Sequence, residues 1–274
     1  MPELPEVEIA RRNLGRWLAN AGVVGAEADR SRIFRGSERA AFERIRGRLV
    51  FARRRGKTLL LGFEGNRGFT SHLGMTGKWV RRPPGRAEPY SRARLLLEDG
   101  SVLHYRDPRL FGRIEPAAAD ALEQLPAVRE LGLDPLLDGV EGKALARALG
   151  RSRVAVKVAL LDQRRVAGLG NIHAAEALWR AKISPLRPAR SLSPAEWQRL
   201  SRAIAAGIRY AIGQEQAEEV AYVEEPGTAN PFRVYGRAGK PCPRCRTPVR
   251  SVRQAGRSTY FCPRCQPARR RRRP

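Results

Sequence analysis

All four cysteines of this chain fall between positions 242 and 265, as two knuckles, Cys242-Pro243-Arg244-Cys245 and Cys262-Pro263-Arg264-Cys265, with sixteen residues between them. Paired C-x-x-C spacing of this kind meets the tetrahedral four-thiolate requirement of a structural zinc site with no open coordination position. One structural Zn2+ is therefore expected to organise a small β-hairpin, and Arg250, Arg253 and Arg257 lie on the stretch between the knuckles. No cysteine is left for a disulfide elsewhere, so the rest of the chain must fold on buried apolar surface.

With 274 residues, 42% of them hydrophobic and 29% charged, the chain can do so as one large domain or two modest ones. Lys and Arg number 53 against 27 acids, a net charge of +26. A surface this basic suits an anionic polymer, because neutralising phosphates releases their counterions. No basic start followed by an apolar run resembles a signal peptide, and no uncharged stretch approaches the roughly 20 residues of a membrane span. A soluble, intracellular protein with no membrane partner is expected.

Residues from about 20 to 115 read as strands and turns. Leu49-Val50-Phe51 and Thr58 to Phe63 flank a basic turn, Arg53-Arg54-Arg55-Gly56-Lys57, while Leu95-Leu96-Leu97 and Val102 to Tyr105 flank the hairpin signal Asp99-Gly100. Such a series of short strands suggests a sandwich. After Pro116 the composition turns to alanine and leucine at helical spacing, with a boundary expected near 116–135. Ser193-Pro194-Ala195-Glu196 is a capping box, and the helix it opens carries Trp197, Leu200, Ile204, Ile208 and Ala211 on one face. Residues 214–231 hold five glutamates and no base, which reads as a mobile loop; residues 231–274 hold fourteen bases and no acid, ending in the basic tail Arg269 to Pro274.

The first residues, Met1-Pro2-Glu3-Leu4-Pro5-Glu6-Val7-Glu8, carry the most chemistry. Once Met1 is removed, Pro2 presents a secondary amine beside the carboxyl group of Glu3. An α-amino group titrates at roughly 7.7–8.0 against about 10.4 for lysine, so a terminus offers more free amine at neutral pH. Such amines form Schiff bases, and a neighbouring carboxyl can move the proton. The same prolines also suit a stiffened terminus ahead of a helix, and Val7, Ile9, Ala10, Leu14, Trp17 and Leu18 supply that helix with a face to bury.

The opening P-E-L-P-E-V-E, the H-L-G-M at 72–75, the D-P-R-L-F-G at 107–112, the G-L-G-N at 168–171 and the cysteine hairpin together resemble the formamidopyrimidine-DNA glycosylase family. The matches run in order from residue 2 to 265. The resemblance implies an α+β protein: an N-terminal β-sandwich with a flanking helix, then a helix-two-turn-helix domain with a zinc-finger β-hairpin. It implies removal of oxidised purines (8-oxoguanine, formamidopyrimidines) from double-stranded DNA through a Pro2 Schiff base, followed by β,δ-elimination of the strand. Catalytic roles carry over to Pro2 as nucleophile, Glu3 as acid and proton shuttle, and Lys57 and Arg257 as phosphate contacts at the lesion. Glu6 becomes a supporting carboxylate; Met75, Arg109 and Phe111 fill the gap left by the flipped nucleotide; Lys157 and Asn171 contact phosphate. Cys242, Cys245, Cys262 and Cys265 are the metal ligands. His72, His104 and His173 read as packed structural residues.

The expected domains are 1–132 (catalytic sandwich), 133–230 (helix-two-turn-helix with the lesion-covering loop), 231–268 (zinc finger) and 269–274 (tail), in a monomeric, cytoplasmic, nucleoid-associated protein of bacterial type. Two other readings stay open on sequence: an endonuclease VIII-like enzyme acting on oxidised pyrimidines, and a non-catalytic zinc-finger DNA-binding protein, which would leave Pro2 and Glu3 without a task.

Overall fold

The computed structural model describes residues 2–214, 219–220, 222–223, 225 and 227–268. Met1, the remainder of the acidic 214–230 stretch and the Arg269–Pro274 tail lie outside the described residues. The chain divides into two compact units, one of residues up to Glu130 with Ile212–Thr228, the other of Leu131–Ala211 with the residues from Ala229 onward.

The first unit opens with helix α1 (Leu4–Leu18), whose Leu4, Val7, Leu14 and Leu18 are buried. Each such side chain contributes about 1.5–3 kcal/mol by leaving water. Two antiparallel four-stranded sheets follow. One is built from β1 (Val23–Ala28), β5 (Lys78–Arg82), β6 (Ser91–Leu97) and β7 (Val102–Arg106) in the order β1-β6-β7-β5. The other contains β2 (Leu49–Arg55), β3 (Thr58–Phe63), β4 (Arg67–His72) and β8 (Arg113–Ala118) in the order β2-β3-β4-β8. Short helix α2 (Glu38–Phe42) lies between β1 and β2 in sequence, and α3 (Pro126–Arg129) closes this part of the chain.

The core combines Trp79, Leu95, Leu103 and Tyr105 of the first sheet with Leu59, Leu61, Phe63 and Phe69 of the second. Phe69 and Trp79 meet with ring centroids 5.8 Å apart. The unbroken apolar run of β3 follows from burial on both faces, for Leu60 points away from that core into a second cluster with Leu122 and Val128.

Two sequence expectations shift. Arg53, Arg54 and Arg55 belong to strand β2, and only Gly56 and Lys57 form the turn. Pro116 lies inside β8, opposite Phe69, rather than at the start of a helical region; β8 is an edge strand, where a missing N–H is tolerated.

The second unit comprises α4 (Gly142–Leu149), α5 (Val156–Ala159), α6 (Asn171–Arg180) and α7 (Pro194–Gln214), whose residues from Ile212 are counted with the first unit, together with the hairpin β9 (Arg250–Gln254) and β10 (Arg257–Phe261). At the start of α7, Ser193 N–H donates to Glu196 at 2.8 Å and Glu196 N–H donates to the Ser193 hydroxyl at 3.3 Å, completing the capping box. Trp197, Leu200, Ile204 and Ile208 are buried along one face of that helix.

Candidate active site

The amino terminus is fixed by the helix it begins. Glu3 caps α1: its side chain accepts the Glu6 backbone N–H, and the Glu6 carboxylate accepts the Glu3 N–H at 2.8 Å. This is a capping box written with two glutamates, satisfying two donors that a helix start leaves bare. Pro2 and Glu3 are both buried.

Lys57 sits half-buried in the β2–β3 turn, where Gly56 takes a positive φ of 57°. A buried arginine ties that turn to α1. Arg54 donates to the Gly56 carbonyl at 2.9 Å and, through Nε, to the Glu8 carboxylate at 3.3 Å. Glu8 also receives Arg11 at 2.8 Å and Arg12 at 2.9 Å. Burial pushes the Glu8 pKa up, but the Arg11 and Arg12 hydrogen bonds and the fields of Arg11 and Arg54 outweigh it and hold the carboxyl below its ordinary range. His72, paired with Thr58 across β3 and β4, is pushed down to about 4 by burial and by the Lys57 charge. Its neutral ring accepts the Gly74 N–H on Nδ1 at 3.1 Å.

Met75, Arg109 and Phe111 occupy two loops joined by one buried carboxylate. Asp107 accepts the Thr76 hydroxyl at 2.9 Å, the Arg109 N–H at 3.2 Å and the Gly112 N–H at 2.8 Å. The loops touch so closely that a Cβ on Gly74 would lie 2.4 Å from the Phe111 carbonyl carbon. Phe111 is 50% exposed, which removes it from the core. Arg109 is exposed and Met75 half-buried. The Arg109 guanidinium lies 5.0 Å from the Phe111 ring centroid.

The acidic stretch differs from its expectation as a mobile loop. Val220 and Tyr222 are buried in the sheet core, and the Tyr222 hydroxyl donates to the Gly77 carbonyl at 2.6 Å. Glu225 pairs with Lys78 at 2.9 Å, and Glu219 pairs with Arg82, both cations lying on β5.

In the second unit the glycine turn is latched by Gln163, whose side chain accepts the Gly168 N–H at 2.9 Å and donates to the Leu169 carbonyl at 2.8 Å. Asn171 opens α6 and donates to the Ser258 carbonyl at 3.0 Å, while its buried Oδ1 has no partner among the described residues. Ser258 follows Arg257, so the same bond connects the turn to the hairpin. Arg257 is exposed at the start of β10, after an Ala255-Gly256 turn with φ of 46° and 75°. Lys157, in contrast, is fully buried within α5.

Sequence reasoning missed Glu176. Its buried carboxylate accepts the N–H groups of Arg233, Val234 and Tyr235 at 2.8–3.1 Å, anchoring the strand-free segment that leads into the hairpin. The signal is the single acid of α6, set among Ala174, Ala175, Ala177 and Leu178.

The sulfur atoms of Cys242, Cys245, Cys262 and Cys265 all lie within 4.8 Å of one another, with 3.9 Å between Cys242 and Cys265 and 3.4 Å between Cys245 and Cys262. Tetrahedral zinc with bonds of about 2.3 Å sets sulfurs about 3.8 Å apart. The donor set fits one structural zinc ion, with no position for a substrate.

Three family profiles match the chain in sequence. The formamidopyrimidine-DNA glycosylase N-terminal domain covers residues 1–114, the formamidopyrimidine-DNA glycosylase H2TH domain 131–220, and the zinc finger found in FPG and IleRS 239–268. The formamidopyrimidine-DNA glycosylase of Pelotomaculum thermopropionicum is 38% identical over 97% of this chain and 99% of its own length. That of Thermus thermophilus is 40% identical over 97% and 98%. The solved structure of a Lactococcus lactis FPG variant in complex with Fapy-dG containing DNA superposes with a TM-score of 0.86 at 31% identity, covering 97% of this chain and all of that one.

Proposed function

The chain belongs to the formamidopyrimidine-DNA glycosylase family, and we propose that it excises oxidised purines, 8-oxoguanine and formamidopyrimidines, from duplex DNA and then cuts the strand. The damaged nucleotide leaves the stack. The Pro2 nitrogen, freed by removal of Met1, forms a bond to the sugar C1′ as the bond to the base breaks and the base takes up a proton; loss of the Pro2 N–H proton and opening of the C1′–O4′ ring bond, with a proton delivered to O4′, then leave a cationic iminium. Glu3 delivers and recovers protons at the sugar, with Glu6 beside it. Loss of the 3′ and then the 5′ phosphate by β- and δ-elimination leaves a one-nucleotide gap with phosphate at both ends.

Lys57, Arg257 and Asn171 hold phosphates near the lesion, whereas Lys157 is fully buried and takes a structural place in α5 instead; Met75, Arg109 and Phe111 occupy the vacated stack, apolar surface offsetting lost stacking. The zinc ion, when bound, fixes the hairpin that presents Arg257 and takes no part in the chemistry. The functional division runs 1–132, 133–230, 231–268 and 269–274, and the protein acts as a cytoplasmic, nucleoid-associated monomer.

The observation that carries this reading is the reciprocal Glu3–Glu6 cap, which holds Pro2 at the head of a buried helix while Glu8 and Arg54 bind the Lys57 turn to that helix. Borohydride reduction in the presence of 8-oxoguanine duplex should trap the protein covalently. Pro2→Gly should abolish trapping and base release while leaving salt-dependent DNA binding within about threefold, since the phosphate contacts remain. Loss of binding together with trapping would identify Pro2 as a folding residue. Release of oxidised pyrimidines with no cutting at 8-oxoguanine would move the chain to the other substrate class.

A further inference from the structure

We propose that Arg32 is the positioning residue of the stack-filling loop, fixing the direction in which Phe111 enters the duplex. The inference rests on the reading of Arg109 and Phe111 as gap-filling residues.

Arg32 lies between β1 and α2, exposed on its loop. Its donors are directed at backbone carbonyls. Nε donates to the Leu110 carbonyl at 3.0 Å, Nη2 reaches the Arg109 carbonyl at 3.4 Å, and the guanidinium carbon lies 5.6 Å from the Phe111 ring centroid. One planar fork thus spans two consecutive peptide groups and the ring that follows them. A lysine, a point charge on a flexible stem, cannot reproduce that geometry.

The loop needs such a clamp. Leu110 sits in the left-handed region at φ 56°, which side-chain-bearing residues rarely adopt. Asp107 holds the N–H groups of Arg109 and Gly112 but leaves the carbonyls of Arg109 and Leu110 to other donors. Arg32 supplies them. Its own backbone is well anchored: neighbouring Ile33 is fully buried, and the Ile33 carbonyl accepts the Ile114 N–H of β8 at 3.0 Å. Base pairs pressing on a half-exposed phenylalanine therefore push against a guanidinium rooted in the sheet unit.

The test compares Arg32→Ala, Arg32→Lys and Phe111→Ala on two substrates: an 8-oxoguanine duplex with 2-aminopurine beside the lesion, and a single-stranded abasic oligonucleotide, which has no stack to fill. For Arg32→Ala we expect single-turnover excision and the 2-aminopurine rise both to slow about tenfold, the scale of one hydrogen bond from a charged donor, the Leu110 contact being the shorter of the two. Borohydride trapping on the single strand should stay within about twofold of the parent, because no wedge is needed there. Arg32→Lys should recover little, and the salt dependence of duplex binding should keep its slope.

A slope reduced by about 0.9 would make Arg32 a phosphate contact and overturn the proposal. So would equal losses on both substrates. If Phe111→Ala slows the fluorescence step and Arg32→Ala does not, the positioning role fails alone. If neither does, the stack-filling reading fails with it.

Discussion

Glu8→Ala should be among the most damaging single changes in the sheet unit. The Glu8 carboxylate faces Arg54, whose side chain is fully buried, whereas Arg11 and Arg12 are partly exposed. Exposed pairs contribute about 0.2–1 kcal/mol, but removing one member of a buried pair costs about 3–5 kcal/mol because a desolvated charge stays behind. At about 2–4 °C per kcal/mol for a unit of this size, the thermal midpoint should fall by roughly 6–20 °C. Differential scanning calorimetry of Glu8→Ala, Glu8→Met, Arg54→Met and the double variant Glu8→Met/Arg54→Met measures it. The double variant should recover most of the loss, since an apolar pair of similar volume leaves no buried charge. The pH dependence has a definite sign. The folded pKa of Glu8 lies below its ordinary value, so this stabilisation is complete above the ordinary carboxylate pKa and is lost as pH falls through the folded one. A Glu8→Ala midpoint within about 2 °C of the parent, or single-variant losses that simply add in the double, would refute the reasoning.

Gly112→Ala would place a methyl carbon 1.8 Å from the Tyr105 hydroxyl, and overpacking of this kind costs about 1–3 kcal/mol. Adding Tyr105→Phe should restore only part of the thermal midpoint, because the ring carbon is still 2.8 Å away. Removing zinc by chelation should release about one equivalent per chain, unfold the β9–β10 hairpin and weaken duplex binding, while the calorimetric transition of the sheet unit stays in place. Metal analysis and fluorescence anisotropy read the two effects separately.

Much of this architecture is legible in the chain because its signals are local. The cysteine spacing, the Asp99-Gly100 hairpin, the Ser193–Glu196 box and the apolar stripe of α1 each lie within a short run of sequence. What escapes is long-range. Arg54 sits in a run of three arginines that looks like an exposed turn, yet strand alternation turns it inward between exposed Arg53 and half-buried Arg55. Its partner lies 46 positions earlier. Glu219 and Glu225 read as a solvated acidic loop because Arg82 and Lys78 are well over a hundred positions away. Arg32 has no pattern at all, for its partners are carbonyls, which every residue carries.

Asp107 joins the turn that bears Met75 to the loop that bears Arg109 and Phe111, so in the proposed stack-filling role these three side chains enter the duplex on one hydrogen-bonded platform. Rigidity of that sort hands all compliance to the nucleic acid. Pyrimidine–purine steps, which unstack readily, should then be entered faster than A-tracts, giving a sequence bias at steps with which no side chain forms a hydrogen bond.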